Sequence, residues 1–213
     1  MLKYNGSILK LPSTAMIGYI EQTFEEWVNL GSTEYSKTSG TGTNHYSFTG
    51  MPESSDFNYI TFIFDAYLAS GGVSAADIFL ENSSNGTIWR MRAHYNQGYP
   101  GFVGINANVT GWTTSSGAPS VGSFTQDGAS YRYCSSKFTK GNYAKFKLVF
   151  DRNAKTCYTY IGDTLLGTVT LNIDPITIVK FGLMKETSSG SSAKMKNIKV
   201  AGFKYLSDAQ NWN

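Results

Sequence analysis

The residues best suited to hold a ligand lie in one glycine-rich stretch, where aromatic rings alternate with amide side chains. Between residues 93 and 113 the rings are Tyr95, Tyr99, Phe102 and Trp112, and the amides are Asn96, Gln97, Asn106 and Asn108. Rings stack on the apolar faces of sugars and amides bind hydroxyl groups, so the pattern favours a carbohydrate-binding surface. The predicted ligand-binding residues are Tyr95, Tyr99, Trp112, Tyr131, Arg132, Asn106 and Asn108. The alternative is that these rings pack the ends of the domain or line a subunit contact.

Residues that could perform catalysis are scarce. The two histidines, His45 and His94, stand in no nucleophile-elbow or metal-ligand spacing, so a structural or surface role is expected for each. The acidic residues Glu21, Glu25 and Glu26 do not repeat with period two, and would not share one face of a strand. No phosphate-binding loop, dinucleotide-binding glycine pattern or zinc-type cysteine spacing occurs. The sequence therefore predicts a protein that is not an enzyme.

The elements that must position these residues are strands. In Tyr59–Leu68, the side chains of Ile60, Phe62, Phe64, Ala66 and Leu68 fall on one face because strands alternate with period two. In 145–150 the same alternation points Phe146, Leu148 and Phe150 to the core and Lys145 and Lys147 to solvent. Both segments read as half-buried strands.

Shorter strands and turns occupy most of the remaining chain. Ala76–Glu81 and Thr87–Arg92 flank an Asn-Gly turn and predict a hairpin. The stretch Glu21–Leu30 fits a strand or a short helix, and residues 31–46 fit a loop or a weak hairpin. Further strands are expected at 101–105, 118–125, 157–161, 165–171 and 176–183, and at 195–203, where the alternation slips as a β-bulge allows.

The composition and net charge of the chain argue against nucleic acid as a partner. Of the 213 residues, 15% are charged and 15% aromatic, and the net charge of +3 is too small to indicate nucleic acid. Residues 1–136 hold 6 Lys/Arg and 10 Asp/Glu, whereas residues 137–213 hold 12 and 5. The basic residues of this second part include four lysines on predicted strands, Lys145, Lys147, Lys196 and Lys199. These are interpreted as solvated strand faces and edge lysines. A surface complementary to an acidic partner is the alternative.

The sequence shows neither a signal peptide nor a membrane-spanning run of about 18 apolar residues. We therefore expect synthesis and folding in a cytoplasm, with no membrane insertion. Two cysteines are fewer than a secreted disulfide scaffold carries. Free thiols at Cys134 and Cys157 are expected, and one disulfide between them is the alternative.

Many short strands, close turn signals and no crossover helices predict an all-β protein, a two-sheet antiparallel sandwich. Residues 1–20 read as an N-terminal arm, in which Asn5-Gly6 marks a small hairpin and Pro12 interrupts any longer strand. The sandwich is expected to span residues 21–206. Residues 207–213 form a short tail.

The order of segments in the last third of the chain resembles that of concanavalin A-like jelly rolls, the group of laminin-G domains, pentraxins and legume lectins. The segments are KFKLVF, DRNAKT, CYTYIGD, TLLGTVTL, ITIVKFGLM and KMKNIKVAGF, and NYITFIFDAYL resembles an early inner strand of the same fold. The likeness covers about residues 55–205 and implies a jelly-roll sandwich. Glycosidases of this fold carry a Glu-x-Asp-x-x-Glu motif, which this sequence lacks. No cofactor is implied except calcium, which laminin-G-like domains often bind near the loop rim. Its candidate ligands here are Asp77, Asp127 and Asn108.

The opening MLKYNGSILKLPS resembles the starts of structural proteins of tailed bacteriophages. This resemblance implies a virion protein attached to a capsid or tail, with other virion proteins or its own copies as partners and cell-surface glycans as a further partner. The expected assembly residues are Tyr4, Ile8, Leu9, Leu11 and Trp212. The alternative is a free-standing carbohydrate-binding module or lectin.

Overall fold

The structure of the protein is a computed structural model. It describes residues 22–71, 75–94, 138–171, 173–186 and 190–213, and shorter segments at 3–4, 7–8, 101–103, 109–114, 123–126 and 129–133. Of the shorter segments and of residues 94, 169 and 170, only the backbone is described. The candidate residues Leu9, Leu11, Tyr95, Tyr99, Asn106, Asn108 and Asp127 lie outside the described residues, as does Cys134.

The described part of the chain is almost entirely β-structure. Its strands are β1 (Lys3–Tyr4), β2 (Ser7–Ile8), β3 (Phe24–Asn29), β4 (Tyr35–Lys37), β5 (Gly42–Ser47), β6 (Tyr59–Ala69), β7 (Ala75–Glu81), β8 (Thr87–His94), β9 (Gly101–Val103), β10 (Val109–Thr114), β11 (Ser123–Gln126), β12 (Ala129–Tyr133), β13 (Tyr143–Asp151), β14 (Thr156–Ile161), β15 (Thr164–Leu171), β16 (Lys180–Lys185) and β17 (Ser192–Phe203). A 3₁₀ turn spans Pro175–Thr177, and one helix, α1, spans Leu206–Asn211. Within these ranges, no helix has the length and hydrophobicity to cross a membrane.

Two antiparallel sheets form the predicted jelly-roll sandwich. Sheet I has the order β10-β15-β14-β13-β6-β17-β3, with β4 beside the first part of β17, and sheet II has the order β11-β12-β9-β8-β7-β16-β5. Because β4 pairs in sheet I and β5 in sheet II, residues 31–46 do not form a hairpin. The chain crosses there from one sheet to the other, so the weak-hairpin prediction is wrong.

The core lies between the sheets and confirms the predicted inner faces. Every inward residue named for β6 and β13 is fully buried: Ile60, Phe62, Phe64, Ala66, Leu68, Phe146, Leu148 and Phe150. Sheet II contributes Ile78, Leu80, Trp89 and Met91 to the same cluster. The β7–β8 hairpin and the bulge in β17 are also confirmed; the bulge lies between Lys196 and Lys199.

Two segments differ from the expected strand pattern. Residues 176–183 do not form one strand, because Pro175 begins a 3₁₀ turn whose first free N–H, that of Ile176, donates to the side chain of Asp174; β16 starts only at Lys180. In the stretch expected to be a strand or a short helix, residues Phe24–Asn29 form a strand, β3.

The C-terminal segment packs on sheet I as helix α1. This covers Lys147, which is only 4% exposed and donates from Nζ to the Gln210 carbonyl at 2.5 Å, so the expectation of a solvated Lys147 is wrong. Trp212 lies against Phe24 and Phe203, with ring centroids 6.1 and 5.6 Å away. Its ring therefore packs on its own domain and is partly exposed.

The N-terminal arm contains the hairpin expected from Asn5-Gly6. Strands β1 and β2 pair antiparallel, with Lys3 opposite Ile8 and Tyr4 opposite Ser7. Among the described strands they form a two-stranded sheet of their own, paired with neither sheet I nor sheet II. The backbones of these two short strands are thus hydrogen-bonded to each other.

Candidate functional site

A cleft about 410 Å³ in volume opens beside the edge strand β3 of sheet I. We call it the Trp27 cleft. It is lined by Gln22, Glu25, Trp27, Pro52, Ser54, Ser55, Asp56, Phe57 and Lys204. These residues come from three distant parts of the chain: β3, the loop before β6, and the residue that follows β17.

Two aromatic rings form the apolar wall of the cleft. Trp27 is half-buried and Phe57 is 7% exposed, and their centroids lie 6.0 Å apart at an angle of 57°. Gly202 in β17 makes room for both rings, because a Cβ there would lie 2.4 Å from Trp27 Cζ2 and 2.6 Å from Phe57 Cδ2. The strand is thus shaped around this pair of rings, and part of the indole stays open to the cleft.

Polar groups surround the rings. Glu25, Ser54 and Asp56 are exposed. Within the described ranges, no side-chain hydrogen bond or ion pair occupies the carboxylates of Glu25 and Asp56, so both can accept from a ligand. Lys204 lies on the other side, with Nζ 5.9 Å from the centre of the Phe57 ring.

The loop that carries Asp56 is held by Arg152, the residue directly after β13. Arg152 Nη1 donates to the carbonyls of Ser55 at 2.6 Å and Phe57 at 2.8 Å. Its Nε and Nη2 donate to the two carboxylate oxygens of Asp174, each at 2.9 Å. Burial alone would raise the pKa of Asp174, but the hydrogen bonds from Arg152 and from Ile176 N outweigh it and hold that pKa below its usual value. Asp174 is therefore charged at neutral pH and anchors the guanidinium.

A second depression, about 340 Å³ in volume, lies on the outer face of sheet I, beyond the C-terminal end of β3. We call it the lysine groove. Its lining residues are Asn29, Gly31, Ile63, Asp65, Lys145, Asn197, Lys199 and Asn213. Two lysines from the basic part of the sequence, Lys145 and Lys199, thus line the lysine groove. A third, Lys196, lies next to it, opposite Asp65.

Three charged residues of sheet II, Asp77, Arg90 and Arg92, pair with one another. Asp77 is fully buried in β7; its Oδ1 accepts from Arg90 Nε at 2.8 Å and from Arg92 Nε at 2.7 Å, and its Oδ2 accepts from Arg92 Nη2 at 3.0 Å. This corrects the expectation that Asp77 is a calcium ligand at a loop rim, because two guanidinium groups hold both of its oxygens. Among the described residues, no three His, Cys, Asp or Glu side chains are grouped as a metal site.

The described histidine, cysteine and glutamate residues considered for chemistry in the sequence lie in strands. His45 lies in β5, with Nδ1 2.7 Å from Glu81 Oε2. Cys157 is a buried free thiol in β14, and burial raises its pKa to about 12. Glu25 and Glu26 are neighbours on β3, and Glu26 accepts from Asn29 Nδ2 at 3.1 Å.

Three of the predicted ligand-binding residues, Trp112, Tyr131 and Arg132, lie in described strands. Trp112 lies in β10 at the far edge of sheet I, whereas Tyr131 and Arg132 lie in β12 of sheet II. Trp112 is therefore in a different sheet from the other two. Sequence reasoning missed Trp27, although a tryptophan among Gln22, Glu25 and Glu26 in a mostly polar strand was a usable signal.

Comparison with known proteins gives similarity of structure without similarity of sequence. No family model matches the chain, and no curated protein matches it. A sialidase structure matches with TM-score 0.49 and 8% identity, over 88% of this chain and 17% of that one. The binding domain of botulinum neurotoxin DC, in complex with SialylT, matches with TM-score 0.48 and 10% identity, over 88% and 45%. The galectin LEC-6 of Caenorhabditis elegans matches with TM-score 0.42 and 9% identity, over 76% and 95%.

The chain thus spans less than half of the sialidase and toxin chains that it matches. At these identities and scores, the likeness does not identify a ligand. The assignment of the sandwich rests on the strand pairing of this chain itself.

Proposed function

We propose that this protein is a carbohydrate-binding β-sandwich domain whose ligand occupies the Trp27 cleft. The observation that carries the proposal is a part-exposed indole beside two exposed carboxylates, Glu25 and Asp56, whose oxygens no described side chain occupies. A sugar ring presents an apolar face to the indole and hydroxyl groups to the carboxylates. Small-ligand sites combine an apolar wall with a few placed polar groups in this way.

Binding rather than hydrolysis is proposed for this cleft. A glycosidase needs one carboxylic acid kept protonated by an apolar environment and a second that stays ionised. Glu25 and Asp56 are both exposed to water, and neither is enclosed by the aromatic wall. The expected result is retention of intact glycan after prolonged incubation, and release of reducing ends that disappears in Glu25→Gln or Asp56→Asn would overturn this part.

Glycan-array screening followed by calorimetric titration tests the proposal. Trp27→Ala should weaken binding about tenfold or more, because the lost ring face is worth about 1.4 kcal/mol. Trp27→Phe keeps a ring and should retain part of the affinity. Asp56→Asn should also weaken binding, whereas Asp163→Asn, a matched change in the exposed turn between β14 and β15, should not. Equal affinity of wild type and Trp27→Ala would place the ligand elsewhere.

A second proposal concerns the place where this domain works, which we take to be a bacteriophage virion, reached from the host cytoplasm. The hairpin β1–β2 supports it, since this hairpin pairs with neither sheet among the described strands and offers strand edges to a neighbouring chain. Tyr4 and Ile8 lie in that hairpin. The partner is another virion protein or a second copy of the chain.

Deleting residues 2–18 tests this attachment role. The expected product is folded and monodisperse by size-exclusion chromatography with light scattering, and it no longer assembles with itself or with virus particles. A matched variant that replaces Asn5-Gly6 with Ala-Ala should weaken assembly in part, because the turn needs these residues. If the deletion unfolds the domain, the arm belongs to the sandwich and the attachment proposal fails.

A further inference from the structure

The lysine groove carries more positive than negative charge. Strand pairing places both Lys145 of β13 and Lys196 of β17 directly opposite Asp65 of β6, and Lys199 opposite Ile63. Directly paired residues have Cβ atoms about 5 Å apart. One side-chain carboxylate, that of Asp65, therefore lies among three ammonium groups on a single face of sheet I.

The charges of the groove are not neutralised within the described part of the chain. There, no hydrogen bond or ion pair engages the ammonium groups of Lys145 and Lys199. Asp65 Oδ2 accepts from Asn197 Nδ2 at 2.6 Å rather than from a lysine. The two lysines are thus available to an anionic group, which would approach a surface that is open to water.

The charged and aromatic residues next to the groove contact one another. Lys194 Nζ lies 3.2 Å from Glu34 Oε1, and Lys196 Nζ lies 4.2 Å from the centre of the Tyr143 ring. Tyr143 donates its hydroxyl to Glu34 Oε2 at 2.5 Å. The pKa of Tyr143 is raised, mainly by burial and next by this hydrogen bond to a carboxylate. Glu34 is therefore engaged by Lys194 and Tyr143, outside the groove, and does not cancel the charges of Lys145 and Lys199.

Groups that bind hydroxyls line the same groove. Asn197 stands at the bulge of β17 with φ +52°, a conformation that asparagine tolerates better than most residues. A bulge of this kind re-aims a side chain, and here the Asn197 amide lines the groove beside Asp65. Asn29 lines it from the end of β3. Two amides and one carboxylate therefore lie beside the ammonium groups of Lys145 and Lys199, above the buried side chain of Ile63; Lys199 Nζ also lies 5.9 Å from the centre of the Trp212 ring.

We infer that the lysine groove binds the anionic residue of an acidic glycan, a sugar that carries a carboxylate or sulfate. Lys145 and Lys199 bind the anionic group, and Asp65, Asn29 and Asn197 bind the hydroxyls. The inference rests on the proposed function and names the class of glycan. The two sites share one strand: Trp27 lines the cleft and Asn29 the groove, two residues apart and so separated by about 7 Å along β3.

Calorimetric titration with three oligosaccharides of equal length tests the inference: oligogalacturonate, sulfated dextran and neutral dextran. The two anionic probes should bind about tenfold or more tightly than neutral dextran at low salt, and 0.5 M NaCl should remove most of the difference by screening. Carboxylate and sulfate sources are distinguished by which anionic probe binds more tightly. Preference for either anionic probe supports the inference.

The variant pair decides the location of the anion. Lys145→Gln with Lys199→Gln should abolish the preference for anionic probes and leave binding of neutral dextran within about twofold, whereas Lys145→Arg with Lys199→Arg should retain the preference because the charge remains. Lys155→Gln, an exposed lysine in the turn after β13, removes one charge elsewhere and should change nothing. Circular dichroism and thermal melting verify that each variant is folded.

Failure of this inference is distinguishable from failure of the proposed function. Binding that depends on Trp27 but shows no preference for anionic probes overturns the inference and leaves the cleft proposal standing. A preference that persists in the double glutamine variant also overturns it. Anionic binding that requires the two lysines but not Trp27 supports the groove and overturns the cleft. If no probe binds, the inference is overturned, and the glycan array with the Trp27 variants decides the cleft proposal separately.

Discussion

Arg152 and Asp174 form a two-point ion pair, with Nε–Oδ1 and Nη2–Oδ2 distances of 2.9 Å, and the remaining Nη1 of the same guanidinium holds the carbonyls of Ser55 and Phe57. One side chain therefore links the 3₁₀ turn before β16 to the loop of the Trp27 cleft. Asp56 lies between the two carbonyls that Arg152 binds. Its position in the cleft depends on a residue that does not line the cleft.

Arg152→Ala should weaken glycan binding and lower stability. The unpaired loop carbonyls and the loss of charge-assisted hydrogen bonds should cost about 1–3 kcal/mol in the free energy of unfolding, measured by urea denaturation. Arg152→Lys keeps the positive charge but loses the planar guanidinium that binds at several points. It should therefore retain only part of the glycan affinity and of the stability. Lys155→Gln in the same turn should change stability by less than about 0.5 kcal/mol. Unchanged affinity in Arg152→Ala would show that the loop is positioned without this residue.

Asp174 should make stability sensitive to acid. Its folded pKa lies below the ordinary value, so its contribution is present above the unfolded pKa of about 3.9 and is lost as pH falls through the folded pKa. Asp174→Asn keeps an acceptor for Ile176 N but loses the ion pair. The variant should therefore be less stable than wild type at pH 6, and the difference should shrink as pH falls towards 2. A stability difference that is the same at both pH values would contradict this assignment.

The strand faces were predictable from sequence, whereas what covers them was not. Period-two alternation identified the buried faces of β6 and β13 because each inward residue is apolar and each pattern is local. The same alternation placed Lys147 on the outer face, which is correct. It could not show that α1, about 60 residues later in the chain, lies on that face and removes Lys147 from water.

The candidate sites were less predictable because they are assembled from distant segments. The Trp27 cleft joins β3, the loop at 52–57 and Lys204, and no local pattern connects them. The lysine groove depends on strand register, since only the pairing of β6 with β13 and β17 places Lys145 and Lys196 opposite Asp65. The binding residues predicted from sequence, such as Tyr95 and Asn108, rest on local composition, which carries no information about which distant segments meet.

Phe146→Ala should be among the most destabilising changes in the chain. Phe146 is fully buried, stacked on Phe64 at 5.8 Å and in edge contact with Phe138 at 5.4 Å. Removing the ring leaves a cavity between the sheets and should cost about 3–5 kcal/mol in the free energy of unfolding. Lys145→Ala, next to it on the exposed face, should cost less than about 0.5 kcal/mol. A loss under about 1 kcal/mol for Phe146→Ala would mean that the core is wrongly placed.

The last prediction concerns Lys147 as the residue that fastens α1 to sheet I. Its Nζ donates to the Gln210 carbonyl at 2.5 Å and lies 3.4 Å from the Trp212 carbonyl, at the C-terminal end of α1, where the helix dipole favours a cation. Burial lowers the pKa of Lys147, an effect that the Asp163 carboxylate opposes. The carbonyls of Gln210 and Trp212 accept from the ammonium and offset part of the cost of burying it.

Lys147→Met keeps most of the apolar stem but removes every donor, so the carbonyl of Gln210 loses its partner. Amide hydrogen exchange should then show residues 206–213 unprotected while β6 and β13 keep their protection, and the free energy of unfolding should fall by about 1–3 kcal/mol. Lys145→Met is the matched control, because it lies two residues away on the same face, is exposed and binds no described carbonyl. Equal protection of residues 206–213 in both variants would show that the apolar contacts of Leu206 and Trp212 hold the helix without Lys147.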